Sequence, residues 1–476
     1  MYEYVIGLEV HIKLKTATKV FCKCTNEQNF TDLAPNTHIC PVCSGQPGAL
    51  PLLSREVVEK AVALGTLLGC TINTDSGFER KSYFYPDLPM GYQITQLTKA
   101  INVDGNVHFF MPDISTEKTI RIQQAHLECD SGKTIHEHGY GILDYNRAGT
   151  PLVEIVTYPD FLSDDEVSEF LKELQRTLRY NDISDADLEK GQMRCDVNIS
   201  VRKKDATELG TKVEVKNLNS ISAIKRAINH EFTRQSALLD AGQPIEQETR
   251  WRDDAKKSSY TMRSKADALD YRYFPEPDLP RLHIGAQMIS RAASNLAGST
   301  YAKMKRYKDE YGFNKEFING LVGYKEINTL FEWLVAEWLE PKLVAKYIVG
   351  FVLKYMNESH TGLEFTSFNQ DEFRNFLQQV AEKKLSDHQA KVVMTAWLAE
   401  GGTIDAIIAH YGFDKQEVFD LPALAAEIVA RNPAVVDEYK KWKVTVIGFL
   451  VGQGMKASWG KCSPQELKEA IEAKLI

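Results

Sequence analysis

In the first half of the chain apolar and polar positions alternate with period two at several places, and at those places the polar positions carry charge. In YVIGLEVHIKL, Leu8, Val10, Ile12 and Leu14 take one face of a predicted strand, leaving Glu9, His11 and Lys13 on the other. In MRCDVNISV, Cys195, Val197, Ile199 and Val201 face a core, while Arg194, Asp196, Asn198 and Ser200 share the opposite face. KVEVKN repeats the scheme with Val213 and Val215 against Glu214 and Lys216. Three such strands describe an antiparallel sheet covered on one side. A merely solvated face favours Thr, Lys and Glu without a theme. This one combines carboxylates, histidine, amide and arginine, and reads as the lining of a concave functional sheet. In RIQQAHLECD an extended reading adds His126, Glu128 and Asp130 on one face. With Glu9 and His11 they make either an oxygen-rich magnesium site or a set of polar edge residues.

Between these strands the period becomes helical. After LSDDEV, Ser163 as N-cap with Glu166 three residues on predicts a capping box, and Val167, Phe170, Leu171, Leu174 and Leu178 form the apolar stripe. This half is α+β in character. From about Arg291 onward the helical period takes over. Ser386 and Gln389 predict a second capping box, opening a helix through Val392, Val393 and Ala396 that Gly401 and Gly402 stop. Hinges fall near Pro280 to Arg291 and near Gly401 to Thr403, which divides the chain into 1–290, 291–405 and 406–476.

The 476 residues are too many for one core. Hydrophobic content of 43% supports globular folding, and no apolar run approaches the roughly 18 residues of a membrane span. MYEYVIGLEV lacks the basic start of a signal peptide, so a cytoplasmic protein is expected. The net charge of −8 argues against a charge-driven nucleic-acid binder, though not against a local basic face.

Of eight cysteines, four cluster as Cys22-Lys-Cys24 and Cys40-Pro-Val-Cys43. In a cytosolic chain these two short bites read as a structural tetrahedral zinc site in segment 22–43, against free cysteines in a loop. His38 precedes Cys40 at an awkward ligand spacing and is read as an outer or exposed residue. Asp130-Ser-Gly-Lys-Thr134 ends like a phosphate loop, but the required first glycine falls at Leu127, so the pattern fails. The chain starts Met1-Tyr2 and holds no G-x-S-x-G elbow; if ammonia is used, another polypeptide makes it. Finally, DYRYFPEPD, Asp270 to Asp278, is rich in acid, arginine and aromatic residues. Pro275 and Pro277 forbid a helix, so Arg272, Tyr273 and Glu276 are expected on an extended, stiff segment that positions groups.

This last run, together with GLEVH (Gly7 to His11), RKSYFYPDLP (Arg80 to Pro89), GYQITQ (Gly91 to Gln96), RAGTPLVEIV (Arg147 to Val156), RCDVNISV, EVKNLNS (Glu214 to Ser220), QETR (Gln247 to Arg250), MRSK (Met262 to Lys265) and the tail GFLVGQGMKASWGKCSP (Gly448 to Pro464), resembles one family. It is the B subunit of the bacterial and organellar glutamyl/aspartyl-tRNA amidotransferase, and the zinc pattern is similar to that of many members. The resemblance covers nearly the whole chain, weakest from about Leu282 to Leu385.

The resemblance implies a glutamine-synthetase-like antiparallel cradle with an inserted zinc knob, then an all-α domain and a helical tRNA-binding tail. It implies ATP-dependent amidation of glutamate on a glutamine tRNA or aspartate on an asparagine tRNA through an acyl phosphate. Ammonia would come from a partner amidase (A) subunit, with a small C subunit completing a heterotrimer, and no membrane is involved. Phosphorylating a carboxylate brings two anions together, which magnesium, arginine and lysine must offset. Family similarity assigns magnesium to Glu9, His11, Glu128 and Glu154, the last among apolar neighbours where an unpaired carboxylate is costly. Arg194, Lys216, Arg263 and Arg272 are expected to stabilise phosphate, with Asp196, Asn198, Asn217 and Tyr273 shaping the pocket. Lys441, Lys443, Lys456 and Lys461 are expected to meet RNA phosphates, and Trp459 either stacks or is buried.

The chain departs from the family in three places. Cys129 replaces the second glutamate of a usual HLEED, Met90 stands where lysine is common, and Trp459 sits at an often basic position. On the strand reading Cys129 shares a side with Ala125 and Leu127. Two other readings are a non-catalytic tRNA-binding scaffold, for which Cys129 speaks, and a stand-alone ATP-dependent ligase.

Overall fold

The computed structural model of the chain describes residues 1–30, 33–137, 139–253, 258–264, 270–359, 363, 368–414, 420–440, 446–458, 462 and 464–475. They fall into two compact units, Met1–Lys305 and Arg306–Ile476.

The strands among the described residues, all in the first unit, are β1 (Tyr2–Lys13), β2 (Thr71–Ile72), β3 (Asp75–Ser76), β4 (Glu79–Ser82), β5 (Tyr92–Thr95), β6 (Asn102–Phe110), β7 (Glu117–Cys129) and β8 (Lys133–Glu137). They continue as β9 (Tyr140–Asp144), β10 (Pro151–Thr157), β11 (Met193–Lys203), β12 (Val213–Lys216), β13 (Glu248–Asp253), β14 (Ser258–Ser264), β15 (Phe274–Pro275) and β16 (Leu282–His283). Nine form one sheet in the order β14-β13-β12-β11-β1-β10-β7-β6-β2. All its pairings are antiparallel except β12 with β13, which run parallel. The exception has a cause: the connection between them carries the helix Ile221–Asp240, and a crossover of that length returns the chain in the same direction. The fold is therefore mixed α+β around a largely antiparallel sheet, as expected.

Helices α1 (Arg55–Leu67), α2 (Asp164–Tyr180) and α3 (Ile221–Asp240) supply apolar side chains to the same core as Leu8, Val10, Ile12, Val153, Ile155, Val197 and Ile199 of the sheet. The predicted stripe of α2 holds: Val167, Phe170, Leu171, Leu174 and Leu178 are all buried, together worth roughly 10 kcal/mol of gross burial at about 2 kcal/mol each. Its N-cap holds too, with the Glu166 N–H donating to Ser163 Oγ at 3.1 Å. The capping box does not close. The Glu166 carboxylate instead accepts from the Leu162 N–H at 2.7 Å, because Lys118 pairs with its other oxygen at 2.7 Å.

A three-stranded sheet, β15-β4-β5, docks on the end of β7: Gln93 Nε2 donates to the Cys129 carbonyl at 2.9 Å, and the Leu127 N–H to Gln96 Oε1 at 3.0 Å. Here the expectation for DYRYFPEPD needs correction. Only Phe274–Pro275 is a strand, pairing with Glu79 and Arg80, whereas Arg272 sits in the left-handed region at φ 45°. The reason is local: the Arg272 N–H donates to Asp270 Oδ1 at 3.0 Å, closing an Asx turn ahead of the prolines. Lys133–Thr134 lie in strand β8, so no phosphate loop forms there.

The described part of the second unit is helical. The Ser386 and Gln389 capping box forms at the head of Asp387–Glu400, and Gly401 stops that helix at φ 72°. Ala425, Ile428, Leu450, Leu467 and Ile471 build a separate apolar cluster from Leu421–Arg431, Ile447–Ala457 and Pro464–Leu475. No single described helix is long and apolar enough to cross a membrane.

Candidate functional site

Strand register assembles the polar face. His11 opposes Glu154 on β10 and Arg194 on β11, and Glu154 opposes His126 on β7. His11 Nε2 stands 3.2 Å from Glu128 Oε1 and 3.4 Å from Glu154 Oε2, and His126 Nε2 reaches the same Glu154 oxygen at 3.4 Å. Burial alone would lower the basicity of His11, but Glu128 and Glu154 push its pKa up to about 10. Against burial, the hydrogen bonds from His11 and His126 hold Glu154 well below the usual carboxylate range.

Glu9 does not join that group. It opposes Asp196 on β11, and its side chain gathers with Asp196 and Glu214. Asn198 Nδ2 donates to Glu9 Oε1 at 2.9 Å. Lys216 Nζ bridges Asp196 Oδ2 at 2.6 Å and Glu214 Oε1 at 2.8 Å. Burial would deprotonate Lys216, yet the two carboxylates hold it firmly cationic. Burial and the charge of Glu154 raise the pKa of Glu9. The four residues expected to share one magnesium ion thus divide between two neighbouring clusters, His11/Glu128/Glu154 and Glu9/Asp196/Glu214. In each the ligand atoms lie within 4.8 Å of one another. Three carboxylates suit a hard cation that prefers oxygen, and two carboxylates with an imidazole remain compatible. Glu214 was visible as a polar-face position of KVEVKN, but its part in a cluster depends on register. A cleft of about 290 Å³ opens beside Glu9, lined among others by Gly7, Asn198, Ser200 and Lys212.

Other expected residues lie as follows. Arg194 Nη2 pairs with half-buried Asp130 at 3.0 Å, and Arg147 Nε approaches the same oxygen at 3.4 Å. Against burial, these two guanidinium groups hold Asp130 low. Tyr273 borders the first cluster: burial, then the charges of Tyr271, Glu154 and Glu128, push its hydroxyl up to about 12. Glu276 is drawn away by Arg80, whose guanidinium grips it at 2.7 and 2.9 Å. The Arg272 side chain is exposed, and Asn217 is a left-handed residue at φ 65° just after β12. Arg263 opposes Thr249 across β13 and β14, but its side chain lies outside the described residues, as do Lys441, Lys443, Trp459 and Lys461. Lys456 is exposed in the last turn of Ile447–Ala457.

The four cysteines converge as their spacing implied, with all four sulfurs within 4.8 Å. Cys43 Sγ is 3.9 Å from Cys40 Sγ and 4.0 Å from Cys24 Sγ. Zinc–sulfur arms of about 2.3 Å in a tetrahedron give edges of roughly 3.8 Å, so the thiols fit that ion. The Cys40 N–H donates to Cys43 Sγ at 3.2 Å, and the Ser44 N–H to the Cys40 carbonyl at 3.1 Å, which shapes the Cys-x-x-Cys turn. A hydrogen bond from Cys22 and the nearby Lys19 charge pull the Cys43 thiol down to about 5.

Cys129 points away from the carboxylates. It is 3% exposed, belongs to the apolar core with Ala125 and Leu127, and lines a cavity of about 290 Å³ together with Met90, Cys22 and Cys43. Its neighbour Glu128 keeps the cluster position, so the Cys129 departure removes no ligand from either carboxylate cluster.

Fold and face together define an α+β protein whose one-sided sheet carries paired carboxylate clusters offset by lysine and arginine. Residues 4–290 match the family described as GatB/GatE catalytic domain, and residues 329–475 match the GatB domain. Proteins named as the B subunit of aspartyl/glutamyl-tRNA(Asn/Gln) amidotransferase are similar along their full length. The one from Lachnospira eligens is 43% identical over 97% of both chains. That of Thermosynechococcus vestitus is 39% identical over 100% of this chain and 96% of its own. That of Thermoanaerobacter pseudethanolicus is 38% identical over 100% and 99%. The chain belongs to this family of tRNA-dependent amidotransferase B subunits.

Proposed function

We propose that the chain is the kinase and transamidase subunit of a glutamine-hydrolysing, tRNA-dependent amidotransferase. Its substrates are misacylated Glu-tRNA(Gln), Asp-tRNA(Asn) or both. A side-chain carboxylate oxygen attacks the γ-phosphorus of ATP and ADP leaves. Ammonia then attacks the acyl carbon, phosphate leaves, and the nitrogen gives up a proton to yield the amide. The observation that carries this reading is the pair of carboxylate clusters side by side on one open face, beside a cleft.

Magnesium held there by His11, Glu128 and Glu154, and by Glu9, Asp196 and Glu214, supplies charge offset between the two anions. The chain's own groups do the positioning. Asn198 orients Glu9, His126 orients Glu154, and Asp130 holds Arg194 at the rim. Lys216 keeps its charge where negative charge gathers on the transferring phosphoryl group. Arg263 and Arg272 add positive charge for the phosphate, and Asn217 and Tyr273 extend the pocket wall. The sheet with its cysteine knob acts as a glutamine-synthetase-like cradle over 1–290, and zinc in the knob is structural. The helical segments 291–405 and 406–476 form further domains, the last supported by its own apolar cluster, and Lys456 with Lys441, Lys443 and Lys461 meets tRNA. A partner amidase, the A subunit, supplies ammonia, and a small C subunit completes a cytoplasmic heterotrimer.

The test is magnesium-dependent ATP turnover and amide formation on misacylated tRNA with partner subunits added. Activity lost in Glu128→Gln supports the reading. A native chain that binds the tRNA but turns over no ATP, while Cys129→Glu does, points to a scaffold instead.

A further inference from the structure

Lys19 has no exposed surface. Its Nζ donates to the His38 carbonyl at 2.9 Å and lies 3.6 Å from Cys43 Sγ. Among the described residues it pairs with no carboxylate. An ammonium withdrawn from water costs several kcal/mol unless a counter-charge meets it. The His38 carbonyl dipole alone does not supply it, and among the four sulfurs Cys43 Sγ is the one that meets the nitrogen. Four thiolates around a divalent ion supply about two net negative charges, within reach of this nitrogen.

The packing fixes the lysine in that place. Gly149, at φ 82°, leaves room for it: a Cβ there would lie 3.3 Å from Cys43 Cβ and 3.7 Å from Lys19 Cδ. The Val20 N–H donates to the Gly149 carbonyl at 3.0 Å, and the Gly149 N–H to the Asp130 carbonyl at 2.9 Å. The cysteine centre, Lys19 and the loop that carries Asp130 to Arg194 therefore form one hydrogen-bonded stack.

We propose that Lys19 is the counter-cation of the Cys22/Cys24/Cys40/Cys43 centre: its buried ammonium offsets the net negative charge of the thiolate-bound ion and sets how firmly that ion is held. The inference rests on the zinc reading of the centre. Lys19 is a positioning residue, since its charge acts through Cys43 and its stem through Gly149.

The experiment uses the full chain, native and as Lys19→Met and Lys19→Arg, each produced with zinc. Metal content is measured by mass spectrometry and affinity by competition with a chromogenic chelator. The native chain is expected to carry zinc, Lys19→Met to bind it roughly 10- to 100-fold more weakly, and Lys19→Arg to lie between. Lys19→Met holding zinc as tightly as the native chain overturns the role of Lys19. A native chain that takes up no zinc overturns the zinc reading itself, and the inference with it. Should Lys19→Met fail to fold, Cys43→Ala is compared with Cys43→Ala/Lys19→Met. With a thiolate gone the ammonium is under-compensated, so the double variant is expected to melt higher; a double variant that melts at or below the temperature of Cys43→Ala overturns the proposal.

Discussion

His11 and Glu154 are register partners across the antiparallel pair β1 and β10, with Nε2 and Oε2 3.4 Å apart, whereas Glu9, two residues back on the same strand, faces Val156. Period two puts both on one face, but register sends Glu9 to Asp196 and Glu214 on the other side of β1. The grouping has a measurable consequence. In Mn²⁺ or Mg²⁺ titrations followed by calorimetry, Glu128→Gln and Glu9→Gln are each expected to keep one divalent-ion binding step and lose the other. The double variant is expected to keep neither. If either single substitution abolishes all binding, the four residues serve one site and the division into two is wrong.

Cys129 invites the opposite substitution. Its side chain is 3% exposed among Ala125, Leu127 and the Met90 side of a cavity that Asp130 and Asp278 also line, and no described cation pairs there. Cys129→Glu is expected to bury an uncompensated carboxylate and lower stability by about 3 kcal/mol or more. Adding Met90→Lys is expected to return part of it, since both side chains line the same cavity. Urea unfolding of the two variants checks this. Equal stability of Cys129→Glu and the native chain would mean that the carboxylate finds solvent or a partner.

Much of this site was legible because charge and period coincide. The alternations around Glu9, Cys195 and Val213 gave the faces of β1, β11 and β12, and two cysteine bites gave a centre whose sulfurs do converge. What sequence could not supply was register, which decides that Asp130 meets Arg194 and that Glu214 gathers with Glu9 and Asp196. Nor could it supply long-range capture of side chains: Arg80 takes Glu276 from the DYRYFPEPD segment, and Lys118 draws Glu166 out of its capping box. Lys19 was missed because a lysine beside a Cys-x-Cys reads as a solvated turn residue. Its burial comes from Gly149, far along the chain.

Gly65 in α1 is a point where the helix layer meets the sheet. A Cβ there would come within 1.9 Å of Asn102 Oδ1 and 2.9 Å of Ile72 Cδ1. Asn102 is fully buried and cannot swing aside cheaply, because its Nδ2 donates to the carbonyls of Ala61 and Ala125, each at 3.1 Å. Gly65→Ala is expected to cost about 3 kcal/mol through overpacking and the lost hydrogen bonds. The pair Gly65→Ala/Asn102→Ala is expected to cost less than the sum of the two singles. Thermal unfolding of all three decides it; additive losses would show that the two residues do not compete for the same space.

The second unit offers a test in which stability should rise. Trp338 follows the helix Lys325–Ala336 in the left-handed region at φ 65°, is 96% exposed, and donates its N–H to the Val335 carbonyl at 3.0 Å. That hydrogen bond ends the helix and needs the left-handed turn, but nearly all of the tryptophan side chain is left in water. A side chain in this conformation costs about 1 to 2 kcal/mol, whereas glycine adopts it without steric strain and loses only part of that gain to its greater freedom in the unfolded chain. Trp338→Gly is therefore expected to stabilise the unit by roughly 0.5 to 1 kcal/mol, seen as a higher urea midpoint with an unchanged slope. A lower midpoint would mean that the indole ring packs on the folded chain in solution, and that the strain at this position is offset by contacts of its own.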